Sequence, residues 1–286
     1  SPSANRRTDA APPMDHSLHV PRLGEVTRQD ASLGRLLLLG RDYGQYGGVA
    51  STRIGARSAA AISVGDDPDS PSLQFKHDPA VNNEDALCVI EAGEWVGMAV
   101  ADAHYGPESS HMLLSRLHDI WSKIRPTDID HLQQMIEFLR NGDQPATESE
   151  TTLLVVVYDR RARSGFGISF GDSSLTVVGP DREPVTENPL DNRFVTARHR
   201  RSLQNGGRFM FGAREGDLLL AYTDGVDQCH YRSPATSIRH THIASVAEAA
   251  SFDPLEVAER LTDLALAGVD GNPGGQDNIA IIASEA

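Results

Sequence analysis

Trp95-Val96-Gly97-Met98-Ala99-Val100-Ala101-Asp102 is an apolar run that ends on a carboxylate. Three other stretches share this feature. Leu218-Leu219-Leu220-Ala221-Tyr222-Thr223 ends at Asp224, Asp277 stands just before Asn278-Ile279-Ala280-Ile281-Ile282, and Glu84-Asp85 just before Ala86-Leu87-Cys88-Val89-Ile90. Short apolar runs bounded by Gly, Asp, Asn or Pro read as strands. A single aspartate at a strand end is ordinarily a turn residue that caps nearby backbone groups. Four such positions sharing one rim of a core are a different matter, because like charges brought together cost energy unless something positive neutralises them. Clustered carboxylate oxygens suit hard cations such as Mg²⁺ or Mn²⁺.

Outward from these runs, further strands are expected at Ala59–Val64, Thr152–Tyr158, Phe166–Phe170 and Leu175–Val178, with a hairpin turn over Arg160–Gly165. Leu113, Leu114, Leu117, Ile120, Trp121 and Ile124 form one helical stripe, and Leu132, Met135, Ile136 and Leu139 another, with Pro126 between them. A third helix begins at Asp253-Pro254 and runs to Gly268. Helix pairs inserted among hairpin-connected strands make this an α+β chain of layers, not a strict βαβ alternation. Residues 1–48 read as an N-terminal tail and extension, rich in Pro and scattered charge at first and then glycine-rich around Gly40, Gly44, Gly47 and Gly48. No Gly-Lys-Ser/Thr follows those glycines, so they read as turns between strands and not as a phosphate loop.

Composition excludes several classes. The 286 residues carry a formal charge of −14, which disfavours nucleic acid as a partner, and the densest basic stretch, Arg198-His199-Arg200-Arg201, is short and isolated. The apolar runs, Leu153–Tyr158 among them, are far below the roughly 20 residues of a membrane helix. Two distant cysteines, Cys88 and Cys229, make neither a disulfide framework nor a thiolate metal site, and a reducing, cytoplasmic setting is the expectation. Cys229-His230 and His240-Thr241-His242 have no zinc-ligand spacing and read as loop histidines.

Six segments occur in order: Asn83-Glu84-Asp85-Ala86, Ala101-Asp102-Ala103-His104-Tyr105-Gly106, Ser149-Glu150-Thr151-Thr152, Gly171-Asp172-Ser173, Thr223-Asp224-Gly225-Val226 and Gly275-Gln276-Asp277-Asn278. Together they resemble the metal-dependent type 2C (PPM family) serine/threonine protein phosphatases, over residues 49–286. The resemblance implies a four-layer α-β-β-α sandwich of two antiparallel sheets flanked by helix pairs, with two divalent cations, Mn²⁺ or Mg²⁺, in a cleft at one end. It implies that Asp102 bridges the ions, that Asp224 and Asp277 complete one of them, and that the Ala103 carbonyl binds the other. Glu84 acts through metal-bound water, Asp85 supports its loop, and Asn278 orders the neighbouring aspartate. The expected reaction is attack of a bridging hydroxide on phosphoserine or phosphothreonine in a protein, with His104 as general acid. The expected partners are a phosphorylated protein and the kinase whose action is reversed.

The pattern also departs from the family. The arginine that grips substrate phosphate is replaced by Ala80, which leaves Lys76 or His77 as weaker substitutes. Asp-Gly-His-Gly becomes Asp102-Ala103-His104-Tyr105, and Ser-Gly-Thr-Thr becomes Ser149-Glu150-Thr151-Thr152. The aspartate expected to hold a third ion is missing in register, with Asp143, Glu148 and Glu150 as the nearby acids. These changes motivate an alternative reading, a catalytically weak domain that binds metal and phosphoprotein as a regulatory module. Hydrolysis of small phosphorylated metabolites is a third.

Overall fold

A computed structural model describes residues 33–76, 81–140, 147–196 and 206–286. The first half of this chain contains β1 (Leu33–Leu39), β2 (Ala50–Ile54), β3 (Ser58–Ser63), β4 (Ala86–Ala92), β5 (Trp95–Ala101), β6 (Ala103–His104), α1 (Glu108–Trp121) and α2 (Ile129–Arg140). The second contains β7 (Glu150–Thr151), β8 (Leu153–Asp159), β9 (Ser164–Phe170), β10 (Ser174–Gly179), β11 (Arg182–Thr186), β12 (Val195–Thr196) and β13 (Gly207–Gly212). It closes with β14 (Leu218–Tyr222), α3 (His240–Ala249), α4 (Pro254–Ala267) and β15 (Ile279–Glu285).

Two antiparallel sheets form, in the orders β1-β4-β5-β8-β9-β13 and β11-β10-β14-β15-β3-β2, with a small β12-β7-β6 sheet beside them. Leu87, Val89, Val96, Met98, Val100, Leu154 and Val156 face Val177, Leu219, Ala221, Ala280 and Ile282 between the large sheets. The other faces are covered too. The stripe of α1 and α2 packs on Ala86, Cys88, Ile90, Ala99 and Ala101, and α3 with α4 packs on Leu218, Leu220, Tyr222, Ile279 and Ile281. Central strands buried on both sides explain why the sequence shows continuous apolar runs instead of alternation. This is the four-layer α-β-β-α sandwich, an α+β fold.

Asp253 caps α4 by accepting from the Glu256 backbone N–H, and Gly268 ends the helix with φ +79°. Four elements lie where the sequence reading has tail, loop or no element. Residues 33–39, within the stretch read as an extension, form an edge strand paired with β4 from Leu33↔Ala92 to Leu39↔Ala86. Arg182–Thr186 and Val195–Thr196, for which no strand is expected from sequence, form β11 and β12. His240 and His242, read as loop histidines, belong to α3. Cys88 and Cys229 are both buried free thiols. Among the described residues no helix is long and apolar enough to cross a membrane.

Candidate metal centre

Antiparallel pairing brings the four carboxylate positions to one end of the sandwich. Ala86 pairs with Ala101, so Glu84-Asp85, ahead of β4, meet Asp102 at the end of β5. In the second sheet Tyr222 pairs with Ile281, which sets Asp224, beyond β14, beside Asp277, ahead of β15. Hydrogen bonds then sew the two sheet ends together. Thr223 Oγ1 donates to Asp85 Oδ2 at 2.7 Å, and Asn278 Oδ1 accepts from the Glu84 N–H at 2.9 Å. The Asn278 amide donates to the Val64 and Asn82 carbonyls, and its backbone N–H to Asp277 Oδ1 at 2.8 Å. Gly225 permits this closeness, since a Cβ there would lie 1.8 Å from the Asn278 carbonyl.

The other motif residues form the layer beneath. Thr152 Oγ1 accepts from the Asp102 N–H at 3.0 Å and bonds Ser173 Oγ at 2.8 Å. Ser149 Oγ accepts from the Ser109 N–H and donates to the Gly106 carbonyl, while the Gly106 N–H donates to Glu84 Oε2 at 3.2 Å. The six segments are thus one connected network around the carboxylates.

Glu84, Asp85, Asp102, Asp224 and Asp277 are all buried. Asp85 Oδ1, Asp102 Oδ1 and Asp224 Oδ1 are fully buried and accept no hydrogen bond from the described residues. Burial, followed by the charge of Asp102, holds Asp85 and Asp224 well above the usual carboxylate range. Burial also pushes Asp277 up to about 6, against the pull of the Lys76 ammonium. Asp102 shifts downward instead: burial opposes it, but Lys76, His104 and the side chains of Asp224 and Asp85 together outweigh burial. Asp172, quoted in a motif but given no role from sequence, joins this group. Burial and the neighbouring Asp102 raise it, and Gln228 Nε2 donates to its Oδ2 at 3.3 Å. Its only sequence signal is its place right after the β9 strand end.

These donors suit a hard cation chemically, for three buried carboxylate oxygens are left without the hydrogen bonds that burial demands and only one of them, Asp102 Oδ1, has a cation beside it. They are not yet gathered as a ligand set: among the described residues no three His, Cys, Asp or Glu side chains form a group that could hold a metal ion. The Lys76 ammonium stands among them instead, 3.8 Å from Asp102 Oδ1, 3.9 Å from Asp277 Oδ1 and 3.3 Å from the Ala103 carbonyl, to which it donates.

Ala103 sits in strand β6, so its carbonyl is offered from an extended backbone. The left-handed conformation falls instead on Tyr105, at φ +60°, with Gly106 following at +120°. His104 projects from β6, its Nδ1 3.9 Å from Glu150 Oε1 on the paired strand β7. Phe75, Phe194 and Tyr105 surround its ring, with centroids 5.4, 5.2 and 6.2 Å away. Glu148 is exposed. His77, Ala80 and Asp143 lie outside the described residues.

No family model matches this chain, and no curated protein matches it in sequence. Solved structures do. The catalytic domain of the serine/threonine protein phosphatase PstP, in complex with two manganese ions, is 18% identical over 89% of this chain and 99% of its own, with a TM-score of 0.57. A second structure of that phosphatase, from Mycobacterium tuberculosis, is 18% identical over 80% of this chain and 97% of its own, also at 0.57. RsbX in complex with magnesium is 13% identical, covers 84% of this chain and all of its own, and has a TM-score of 0.54. The sandwich described above is therefore the fold of the type 2C phosphatases.

Proposed function

We propose that this chain is a metal-dependent phosphatase that hydrolyses phosphoserine or phosphothreonine in a protein and so reverses the action of a kinase. The observation that carries the reading is the end of the sandwich itself: five buried carboxylates, three with an orphaned oxygen, in a fold shared with phosphatases. Asp102, Asp224, Asp277 and the Ala103 carbonyl would hold two divalent cations, Mn²⁺ or Mg²⁺, with Glu84 contributing through water. Bound cations supply positive charge against the phosphate oxygens and make an attacking water acidic enough to ionise near neutral pH.

The remaining chemistry belongs to side chains. His104 protonates the departing serine or threonine oxygen, and Glu150 Oε1 stands 3.9 Å from its Nδ1 on the paired strand. Asp85 holds the loop that carries Glu84, through Thr223. Asn278 keeps Asp277 turned toward the cluster through its backbone N–H and ties Glu84 to the second sheet. Lys76, with His77 next in sequence, is the cationic segment at hand for the substrate phosphate in place of the family arginine.

The test is release of phosphate from a phosphothreonine peptide with Mn²⁺ and with chelator, beside Asp224→Asn. Metal-dependent release is expected, with a loss of about 10³-fold or more in the variant, since charge stabilisation in a site of this kind supplies several powers of ten. Retained turnover in Asp224→Asn would sink the ligand assignment. Metal binding without turnover would favour the second reading, a regulatory module that binds phosphoprotein, which Tyr105 and Glu150 at the family's glycine positions support.

A further inference from the structure

Lys76 is held in the centre by more than its own charge. It follows a short 3-10 turn, Pro71–Phe75, in which Ser70 at the N-cap and Ser72 within the turn donate their hydroxyls to the Gln276 carbonyl, next to Asp277. On its other side the Phe75 carbonyl accepts the Tyr105 N–H at 2.7 Å, two residues from Ala103. The stem is thus pinned to two of the segments that carry the proposed metal ligands, those of Asp277 and of Asp102-Ala103. Its side chain is only 5% exposed.

Residue choice points the same way. The chain uses arginine for all but two of its 26 basic side chains, and the two lysines are Lys76 and Lys123, the latter exposed on the surface. A compact ammonium is a point charge with three donors, whereas a guanidinium is a planar fork. One carbonyl and two carboxylates from different strands match the ammonium. They are also three of the groups that the reading above gives to the cations, and one space does not hold both.

We propose that Lys76 is an internal cation of this centre, which divalent ions must displace to bind. In the metal-free chain its single positive charge offsets part of the carboxylate repulsion. On metal binding the ammonium leaves, so Lys76 stabilises the metal-free state and weakens metal affinity. This inference rests on the metal-centre reading, and its tests separate the two.

With only two lysines, amine acylation read by mass spectrometry is a direct probe of the unmodified full-length chain, with Lys123 as internal reference. In chelator Lys76 should label far more slowly than Lys123. Saturating Mn²⁺ should raise the labelling ratio severalfold. Equal labelling with and without Mn²⁺ would overturn the proposal. Independently, Lys76→Met should melt at a lower temperature in chelator, and calorimetry should show Mn²⁺ bound at least tenfold more tightly than by the parent. An unchanged melting temperature, or unchanged or weaker Mn²⁺ affinity, would overturn it while leaving the metal centre standing. Absence of Mn²⁺ binding in both chains would remove the metal centre, and the competition with it.

Discussion

The two ends of the sandwich hold two buried ionic clusters built on the same strands, and they obey opposite rules. At one end Glu91, near the end of β4, meets Arg160. The Glu91 carboxylate accepts from Ser58 Oγ at 2.6 Å, from the Ala56 N–H at 3.1 Å and from Arg160 at 3.4 Å. Arg160 spends its remaining donors on the Gly93 and Glu285 carbonyls and on Ser284 Oγ. Asp217, at the start of β14, likewise accepts the Arg214 N–H and pairs with Arg182. At the other end of the same strands, five carboxylates are buried with one lysine, which pairs with Asp102 and Asp277, and three of their oxygens accept no hydrogen bond from the described residues. A buried charge is tolerated structurally when it is matched and hydrogen-bonded. The first end meets that condition and the second does not. An excess of buried acceptors with one sign of charge is therefore what distinguishes a cation site from a staple, although both look like buried acids in a list of residues.

The sharpest way to break this contrast is at the matched end. Arg160→Met leaves Glu91 buried without its cation, and removing one partner of a buried pair costs about 3–5 kcal/mol. Chemical denaturation should show a loss of that size, with Mn²⁺ affinity preserved because the lesion lies at the far end. A loss under 1 kcal/mol would mean that the hydroxyls and backbone groups around Glu91 suffice without Arg160.

The unmatched end should respond in the other direction. Asp224 is raised well above the ordinary 3.8, by burial and then by Asp102 and Asp277. Between those two values the folded chain binds more protons than the unfolded one, so stability falls as pH rises. The contribution of Asp224 is complete below its ordinary pKa and is lost as pH climbs through its raised folded value. His111, buried and held near pKa 4, pulls the other way but is present in both chains and cancels in a comparison. In chelator, Asp224→Asn should therefore gain on the parent as pH rises, reaching about 0.5–2 kcal/mol near pH 8, as is common when a strained functional residue is removed. Saturating Mn²⁺ should reverse the order, because a ligand stabilises only the chain that holds it. A gap that does not widen with pH would show that Asp224 is not the repelled carboxylate described here.

Much of this architecture was legible because its cause is local. Strands buried on both faces leave continuous apolar runs, and the stripes of α1, α2 and α4 repeat with the helical period. Helix α3 escaped because Arg239 stands at its N-cap and only Ile243 and Ala247 are buried, which leaves little stripe to read. β1 escaped because four consecutive leucines beside glycines do not announce which partner they pair with; that partner, β4, lies about fifty residues on. The same division holds at the centre. Asp102, Asp224 and Asp277 could be picked out by their places at strand ends. That Lys76 turns inward among them is a fact of long-range packing with no local signature, and Asp172 carried only its motif and its place just past a strand end. The substitutions at 103 and 105 were visible as departures, but only the backbone tells them apart: Ala103 is extended and keeps its carbonyl available, while Tyr105 is left-handed.

That last distinction yields the smallest of the expected effects and isolates a single cause. A side chain at φ +60° costs roughly 1–2 kcal/mol that glycine avoids, less the 0.5–1 kcal/mol that glycine loses in chain entropy. Tyr105 offsets some of this by placing its ring edge-on to Phe75 and His104, at 6.4 and 6.2 Å. Tyr105→Ala and Tyr105→Gly both remove the ring, so their difference reports the backbone alone. The glycine variant should be more stable than the alanine variant by about 0.5–1 kcal/mol. Equal stabilities would mean that residue 105 carries no strain, and that the tyrosine stands there at no conformational cost to the end of the sandwich where charge is already unbalanced.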